Sequence, residues 1–143
     1  MAEMKTQRTG QPVAEFLAGV KDEQMRADCV RIQRLMEKAT RSKARMWGSI
    51  VGFGDRKLRY ANGKEVDWMV IAFAPRAKSI ALYLGPMTGV YDKLKDKLGA
   101  HTGGGTSCLH VKRLADVNVP TLEKLIVEAA REMSREPVRP AKC

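Results

Sequence analysis

Long apolar runs are rare in this sequence of 143 residues. The longest, residues 68–74, is far shorter than the ~18 residues that a membrane-spanning helix requires. The first residues, Met-Ala-Glu-Met-Lys-Thr-Gln-Arg, hold no apolar segment and no small-residue cleavage site of the kind found in secretion signals. Both absences predict a cytoplasmic protein that does not enter the membrane.

Cysteine is also sparse, and the cysteines form no Cys-x-x-Cys pair. Cys29, Cys108 and Cys143 are widely spaced and odd in number. Disulfides are rare in reducing compartments, and a chain near this length needs no covalent staple because it buries roughly 70% of its unfolded surface. We therefore predict free thiols and a single globular domain.

None of the common catalytic signatures is present. The chain has no Gly-x-Ser-x-Gly, no His-Glu-x-x-His and no protein-kinase motif. The glycines at 103–105 do not make a nucleotide P-loop, because no Gly-Lys-Ser/Thr follows and the next segment is predicted to be a strand. We therefore favour a protein that is not an enzyme.

Acidic residues are the minority among the charges. Lys and Arg number 26 against 16 Asp and Glu, for a formal net charge of +10. The short basic clusters are Arg41/Lys43/Arg45, Arg56/Lys57/Arg59, Lys93/Lys95/Lys97 and Lys112/Arg113. A solvated surface is the favoured interpretation, because aromatics are only 6% of the chain and no cluster is interleaved with them as in single-strand binders. If several clusters share a face, nucleic acid becomes a candidate partner.

Apolar periodicity predicts two N-terminal helices, one helix that ends before Gly99 and a C-terminal helix. Their apolar stripes are Val13/Phe16/Leu17/Val20, Met25/Cys29/Ile32/Met36/Ala39, Tyr91/Leu94/Leu98 and Leu122/Leu125/Ile126/Ala129/Ala130/Met133. The predicted strands are residues 48–53, paired in a hairpin with 57–60, then 68–74, 79–84 and 108–112. The sequence thus predicts an α+β fold, a mostly antiparallel meander of about five strands flanked by N-terminal and C-terminal helices. This domain covers residues 13–134, between a flexible segment, 1–12, and a frayed tail, 135–143.

The glycine-rich stretch and the residues after it offer three kinds of chemistry. Backbone amides around residues 103–105 can form an anion-binding nest, with Lys112 or Arg76 as the countercharge. His101, Cys108 and His110 are residue types that zinc accepts, although no fourth ligand is near in sequence. Cys108 with His110 also pairs a nucleophile with a base, but no neighbouring residue activates the thiol. The favoured interpretations are a flexible connection for the glycines and a half-exposed sheet residue for His110.

Several motifs occur in a characteristic order and spacing over roughly residues 13–133. They are Met-Trp-Gly-Ser-Ile-Val-Gly-Phe-Gly at 46–54, Phe-Ala-Pro-Arg at 73–76, Leu-Tyr at 82–83, Leu-Gly at 98–99 and Ser-Cys-Leu-His-Val-Lys-Arg-Leu at 107–114. Together they resemble the YdhG-like family of small bacterial proteins, a domain of unknown function grouped with the YjbR and bacterial frataxin superfamily. The resemblance implies a frataxin-like fold, which is an antiparallel sheet flanked by helices.

The same resemblance implies an intracellular iron chaperone whose partners are iron–sulfur assembly proteins. Frataxins bind iron through exposed carboxylates of the first helix and the adjoining strand, because oxygen ligands keep ferrous iron exchangeable. The early helices of this chain offer Glu15, Asp22 and Glu23 for that role. Iron is the metal that the resemblance implies, and the residues by themselves indicate no cofactor.

A second hypothesis is a pocket for a small anionic and partly flat ligand. Aromatic faces beside a few cations suit such a ligand. The residues that would line it are Trp47, Tyr60, Trp68, Arg76, Cys108 and Lys112. The competing interpretation places Trp47 and Trp68 in the core, because large aromatics dominate small cores. Nucleic-acid binding through the dispersed lysines and arginines is the third hypothesis.

Overall fold

The structure, a computed structural model, describes residues 10–85, 89–105 and 108–135. Most of the predicted flexible segment and frayed tail lies outside the described residues. The helices are α1 (Val13–Ala18), α2 (Glu23–Thr40), α3 (Val90–Leu98) and α4 (Val119–Arg135). The strands are β1 (Arg45–Trp47), β2 (Ile50–Phe53), β3 (Arg56–Arg59), β4 (Glu65–Trp68), β5 (Ile71–Pro75), β6 (Ile80–Tyr83), β7 (Thr102–Gly103) and β8 (Leu109–Val111). Each helix predicted from the apolar periodicity is present, and none in the described ranges is long and apolar enough to cross a membrane.

Six strands form one antiparallel sheet in the order β1-β2-β5-β6-β8-β7. Strands β3 and β4 form a separate two-stranded ribbon. The α+β class and the mostly antiparallel sheet, with helices at both ends, are confirmed. The simple meander is wrong, because the chain passes from β6 through α3 to the edge strand β7, and β8 then returns between β6 and β7.

Glycines turn the chain at the start of the predicted strand 48–53 and directly after it, and the hairpin predicted between 48–53 and 57–60 is wrong. Gly48, at φ 65°, turns β1 into β2. Gly54, at φ 80°, bends the chain after β2, and β3 pairs with β4 instead of β2. The turn at Asn62 and Gly63 closes this ribbon, where the Tyr60 amide donates to the Lys64 carbonyl at 2.8 Å. The apolar run 68–74 is consequently shared between β4 and β5.

The main core lies between the helices and one face of the sheet. It combines the apolar stripes of α1, α2 and α4 with the strand residues that point towards them, including Phe53 and Phe73, whose rings stack 6.1 Å apart. Asp22 caps α2 by accepting a hydrogen bond from the Met25 amide at 3.0 Å. The helices therefore occupy one side of the sheet.

The opposite side of the sheet, which we call the open face, has a smaller cluster without any helical residue. Its members are Trp47, Ile50, Met69, Ala72 and Ala74, with Trp68 and Tyr83 packed against them. Successive strand residues point to opposite faces, so Ala81 and His110 also belong to the open face, because their neighbours Leu82 and Leu109 lie in the main core. The candidate site lies at the β7 edge of this face.

Candidate anion-binding cleft

Strand alternation places several polar side chains side by side on the open face. In the register of the sheet, His110 of β8 lies opposite Ala81 of β6 on one side and Thr102 of β7 on the other. Ser79 precedes Ala81 by two positions and Lys112 follows His110 by two, so both side chains leave the same face. The start of β6, the end of β8 and the short edge strand β7 thus build one polar corner.

This corner is a concave cleft of about 430 Å³. It is lined by Lys78, Ser79, Ala100, His101, Thr102, His110, Lys112 and Asp116. Within the described ranges, no hydrogen bond or ion pair engages the side chains of Lys78, Ser79, Thr102, His110 and Lys112. Ligand sites combine a concave surface with a few convergent polar groups, and the cleft has both.

The cleft carries an excess of positive charge. Lys78 and Lys112 contribute two ammonium groups against the single carboxylate of Asp116. Ammonium groups and hydroxyls donate hydrogen bonds, and an imidazole donates from at least one nitrogen. Charge-assisted hydrogen bonds from such donors are the strong ones when the acceptor is an anion. The donor set therefore fits the oxygen atoms of a small oxyanion.

His101 lines the same cleft, but both of its ring nitrogens contact the protein. Nδ1 lies 2.7 Å from the carbonyl oxygen of Gly99, and Nε2 lies 2.8 Å from the hydroxyl of Tyr91. The hydroxyl in turn donates to the Gly103 carbonyl at 2.9 Å. The two rings meet edge to face, with centroids 5.7 Å apart. His101 is therefore part of the wall of the cleft, and His110 is the imidazole open to a ligand.

The glycine-rich stretch wraps around Tyr91. Gly103, Gly104 and Gly105 have φ values of 69°, 101° and 70°, a region that favours glycine. A Cβ at Gly104 would lie 2.4 Å from the Tyr91 ring, so the ring and the backbone are in close contact. The flexible connection predicted for these glycines is wrong in part, because Gly103 belongs to β7. An anion nest on its backbone amides stays a prediction.

The residues predicted to line an aromatic pocket lie in different parts of the fold. Trp47 and Trp68 meet edge to face, with ring centroids 5.7 Å apart, and Trp47 is only 3% exposed. Arg76 reaches the open face, where it donates to the Tyr83 hydroxyl at 2.9 Å and to the Ser49 hydroxyl at 3.2 Å. The burial of Trp47 favours its interpretation as a core residue over that of a ligand contact.

Lys112, Tyr60 and Cys108 complete that predicted set. Lys112 lines the cationic cleft, whereas Tyr60 lies at the turn of the β3–β4 ribbon. Cys108 is 3% exposed and disulfide-bonded, so the prediction of free thiols is wrong for it, because spacing along the chain does not show which sulfurs meet in space. Cys143 lies outside the described residues. Cys29 is free, and burial, with the charge of Asp28, raises the pKa of its thiol to about 12.

The carboxylates predicted to bind iron lie near the start of α2 and on α1. Glu15 and Asp22 line a second cleft, of about 680 Å³, between the α1–α2 connection and the β5–β6 turn. Glu23 lies in the first turn of α2. The hydrogen bond from the Met25 amide is the main cause that lowers the pKa of Asp22. Across the described part of the chain, no three His, Cys, Asp or Glu side chains are placed to hold a metal ion.

Many of the clustered cations have acidic partners. The pairs are Arg45–Asp55, Lys57–Asp67, Arg59–Glu65, Lys95–Asp92 and Arg113–Asp22. Exposed pairs of this kind contribute little stability, but each one reduces the positive charge that the surface presents to a polyanion. Lys78 and Lys112 differ from them because neither has an acidic partner in the described residues. Nucleic-acid binding stays a prediction.

Sequence reasoning missed Lys78, Ser79, Thr102 and Asp116 as site residues. Alternation in the predicted strand 79–84 puts Ser79 on the face opposite Ile80 and Leu82, and this is the one available signal. The others meet only because β7 pairs beside β8, which brings the start of that edge strand level with the start of β6.

Comparison with known proteins yields no relative: no family model, no curated protein and no solved structure matches the chain. The family resemblance of the motifs therefore stays a prediction, and the function is argued from the chemistry of the cleft.

Proposed function

We propose that this protein binds a small oxyanion, of the size of phosphate or a simple phosphate monoester, and does so without catalysis. One observation carries the proposal. Five polar side chains that the described protein leaves without partners line a single concave cleft: Lys78, Ser79, Thr102, His110 and Lys112. Ser79 and His110 are half-buried, and a half-buried donor gains more than a fully hydrated one from a ligand that satisfies it.

The donor set of the cleft favours a tetrahedral oxyanion over a carboxylate. A volume of about 430 Å³ lies within the ~300–1,000 Å³ that ligand pockets occupy, so the cleft has room for a phosphate or a phosphate monoester. Lys78 comes from the β5–β6 turn and Lys112 from the end of β8, so the charges approach from two elements. A phosphate has more oxygen atoms than a carboxylate to share among two ammonium groups, two hydroxyls and an imidazole.

Isothermal titration calorimetry of the full chain with inorganic phosphate, with acetate as the comparison, tests this proposal. Lys112→Gln removes one charged donor from the cleft, and Lys124→Gln removes the same charge from the exposed surface of α4. Lys112 is exposed, so its contact with an anion contributes at most about 1 kcal/mol, and Lys112→Gln should weaken phosphate binding by about fivefold. Lys124→Gln should leave the affinity within about twofold.

Equal weakening by both lysine variants would contradict the proposal, because it would show attraction by net charge and not by a site. A titration with phosphate that releases or absorbs no saturable heat would contradict the proposal directly. Thermal melting of each variant accompanies the titrations, so that a loss of fold is not mistaken for a loss of affinity.

The frataxin-like fold and the iron-chaperone role are a second proposal, supported by the motif resemblance and by one observation. Glu15 and Asp22 line the same cleft, and both carry carboxylates that are ionised at neutral pH. Anaerobic titration with ferrous iron, against magnesium, should give saturable binding that Glu15→Gln and Asp22→Asn weaken. Heat no greater than with magnesium would contradict this role.

A further inference from the structure

The hydrogen bonds around His101 require more hydrogens than a neutral imidazole supplies. Four groups stand in a row, which we call the clasp: the Gly99 carbonyl, the His101 ring, the Tyr91 hydroxyl and the Gly103 carbonyl. Both carbonyls only accept, the hydroxyl has one hydrogen, and a neutral imidazole has one. The three contacts therefore share two hydrogens when His101 is neutral. The imidazolium form supplies the third.

Deprotonation of His101 breaks one contact in either tautomer. If Nδ1 keeps its hydrogen for Gly99, Nε2 becomes an acceptor and the Tyr91 hydroxyl must turn away from Gly103 to donate to it. If Nε2 keeps its hydrogen, the lone pair of Nδ1 faces the Gly99 carbonyl oxygen at 2.7 Å. The complete clasp consequently belongs to the protonated ring.

The clasp connects α3 to the strand that forms one wall of the cleft. Tyr91 is in α3, and its hydroxyl binds Gly103 of β7. The neighbouring residue in β7, Thr102, pairs with His110 and lines the cleft. Thr102 and Gly103 are themselves exposed, and β7 pairs on one side only. The hydrogen bond from the Tyr91 hydroxyl thus helps to hold a short edge strand that otherwise pairs only with β8.

The charges around His101 link its protonation to an anion. The titratable and charged groups that face it are Lys78, His110, Lys112 and Asp116 in the cleft and Tyr91 from α3. His101 lines the cleft, so an oxyanion bound there lies near its ring, and a nearby negative charge favours an imidazolium over a neutral imidazole.

We infer that the cleft binds its oxyanion together with a proton on His101, so that the clasp closes as the anion binds. His101 and Tyr91 are then positioning residues, which hold Thr102 in place without being the main donors to the anion. For its ligand, this inference rests on the proposed function. Coupling between two binding events is reciprocal, and it typically amounts to a factor of about 5–150 in affinity.

The first test uses the free protein and needs no ligand. NMR spectroscopy follows the ring nitrogens of His101 and the backbone amides of Thr102 and Gly103 between about pH 5.5 and 8, where an ordinary imidazole changes charge. In the wild type, the ring and the amides should titrate with one shared midpoint. In Tyr91→Phe, the amides should no longer follow the ring. Separate midpoints in the wild type would overturn the inference.

The second test measures binding of sulfate, which keeps its charge throughout this pH range. The wild type should bind sulfate about tenfold more tightly at about pH 5.5 than at pH 8, with uptake of a proton. The comparison is made in a His110→Gln background, because His110 faces the anion and a charge on its imidazole would strengthen binding as well. The dependence that remains in this background belongs to His101. Tyr91→Phe should lose it, and His101→Gln is the second variant should Tyr91→Phe fail to fold.

The two failures are distinguishable. Sulfate that binds equally well at both pH values, or a full pH dependence in Tyr91→Phe, overturns the coupling alone. Sulfate that binds at neither pH overturns the proposed function, and the NMR titration then decides whether the clasp itself responds to the proton.

Discussion

The carboxylate of Asp28 in α2 accepts a hydrogen bond from the backbone amide of Leu114, 86 positions further along the chain, at 3.1 Å. Asp28 is only 2% exposed, and its other oxygen accepts from the Gln24 side chain at 2.9 Å. Leu114 begins the turn that follows β8, directly after Lys112 and Arg113. A buried carboxylate on the helical side thus holds the segment that leads out of the anion cleft.

Replacement of Asp28 should destabilise the fold. In Asp28→Ala the Leu114 amide loses its acceptor while the site stays buried, which costs about 1–3 kcal/mol of unfolding free energy. Urea unfolding measures this, with Asp96→Ala on the exposed surface of α3 as the control. Equal losses in the two variants would contradict a specific role for the buried contact.

Gly52 should tolerate no side chain, because the Trp47 indole occupies the space beside it. A Cβ at position 52 would lie 2.6 Å from the Trp47 ring and 2.8 Å from the sulfur of Met69. Overpacking of this kind costs about 1–3 kcal/mol, so Gly52→Ala should lower the melting temperature. Gly19→Ala is the control, since its nearest atom would lie at 3.4 Å. If Gly52→Ala melted no lower than Gly19→Ala, the packing of Trp47 described above would be incorrect.

The sequence predicts well whatever depends on a local pattern. The apolar stripe of α2 is visible within a few residues, and the structure has it. A strand as short as β7 has no measurable periodicity, and its place outside β8 depends on contacts with residues far along the chain. Likewise, the alternation of residues in β3 does not show whether that strand pairs with β2 or with β4. The chain bends at Gly54, after β2, and β3 pairs with β4.

In the candidate site, too, the sequence predicts what depends on local spacing and misses what depends on contacts between distant residues. That His110 and Lys112 share a face follows from their spacing, and the sequence therefore predicts it. Lys78 and Thr102 lie beside them only because the strands are in the order β6-β8-β7, and no local sequence pattern predicts that order. The two tryptophans misdirect the prediction because large aromatic residues suit both a core and a binding face.

Asp116 should weaken anion binding in the wild-type cleft. Its carboxylate lines the cleft that the two lysines make cationic, so Asp116→Asn should strengthen phosphate binding by about threefold through the loss of one repulsive charge. Calorimetry measures the change. Asp96→Asn alters the net charge equally outside the cleft and should leave the affinity unchanged. Weaker binding in Asp116→Asn would indicate that the carboxylate orients a donor instead.

Cys29 should resist thiol reagents while the protein is folded. Its side chain is fully buried, and burial raises the pKa of the thiol to about 12, so almost no thiolate exists at neutral pH. Iodoacetamide treatment followed by peptide mass mapping should leave Cys29 unmodified in buffer and modify it in guanidinium chloride. Rapid modification of the native protein would show that α2 opens far more often than its packing suggests.

The cap of α2 should give the protein part of its stability at neutral pH and lose it in acid. The pKa of Asp22 is lowered in the folded protein, mainly by the Met25 amide, relative to the value of 3.8 for a free carboxyl. The group therefore contributes stability that is complete well above 3.8 and disappears as the pH falls through the lower folded value. Asp22→Asn keeps a capping oxygen but carries no charge, so it should be less stable than the wild type at neutral pH and equal to it below the folded pKa. Urea midpoints measured across the acid range test this sign, and a difference that grows as the pH falls would mean that Arg113 and the Met25 amide do not favour the ionised carboxylate.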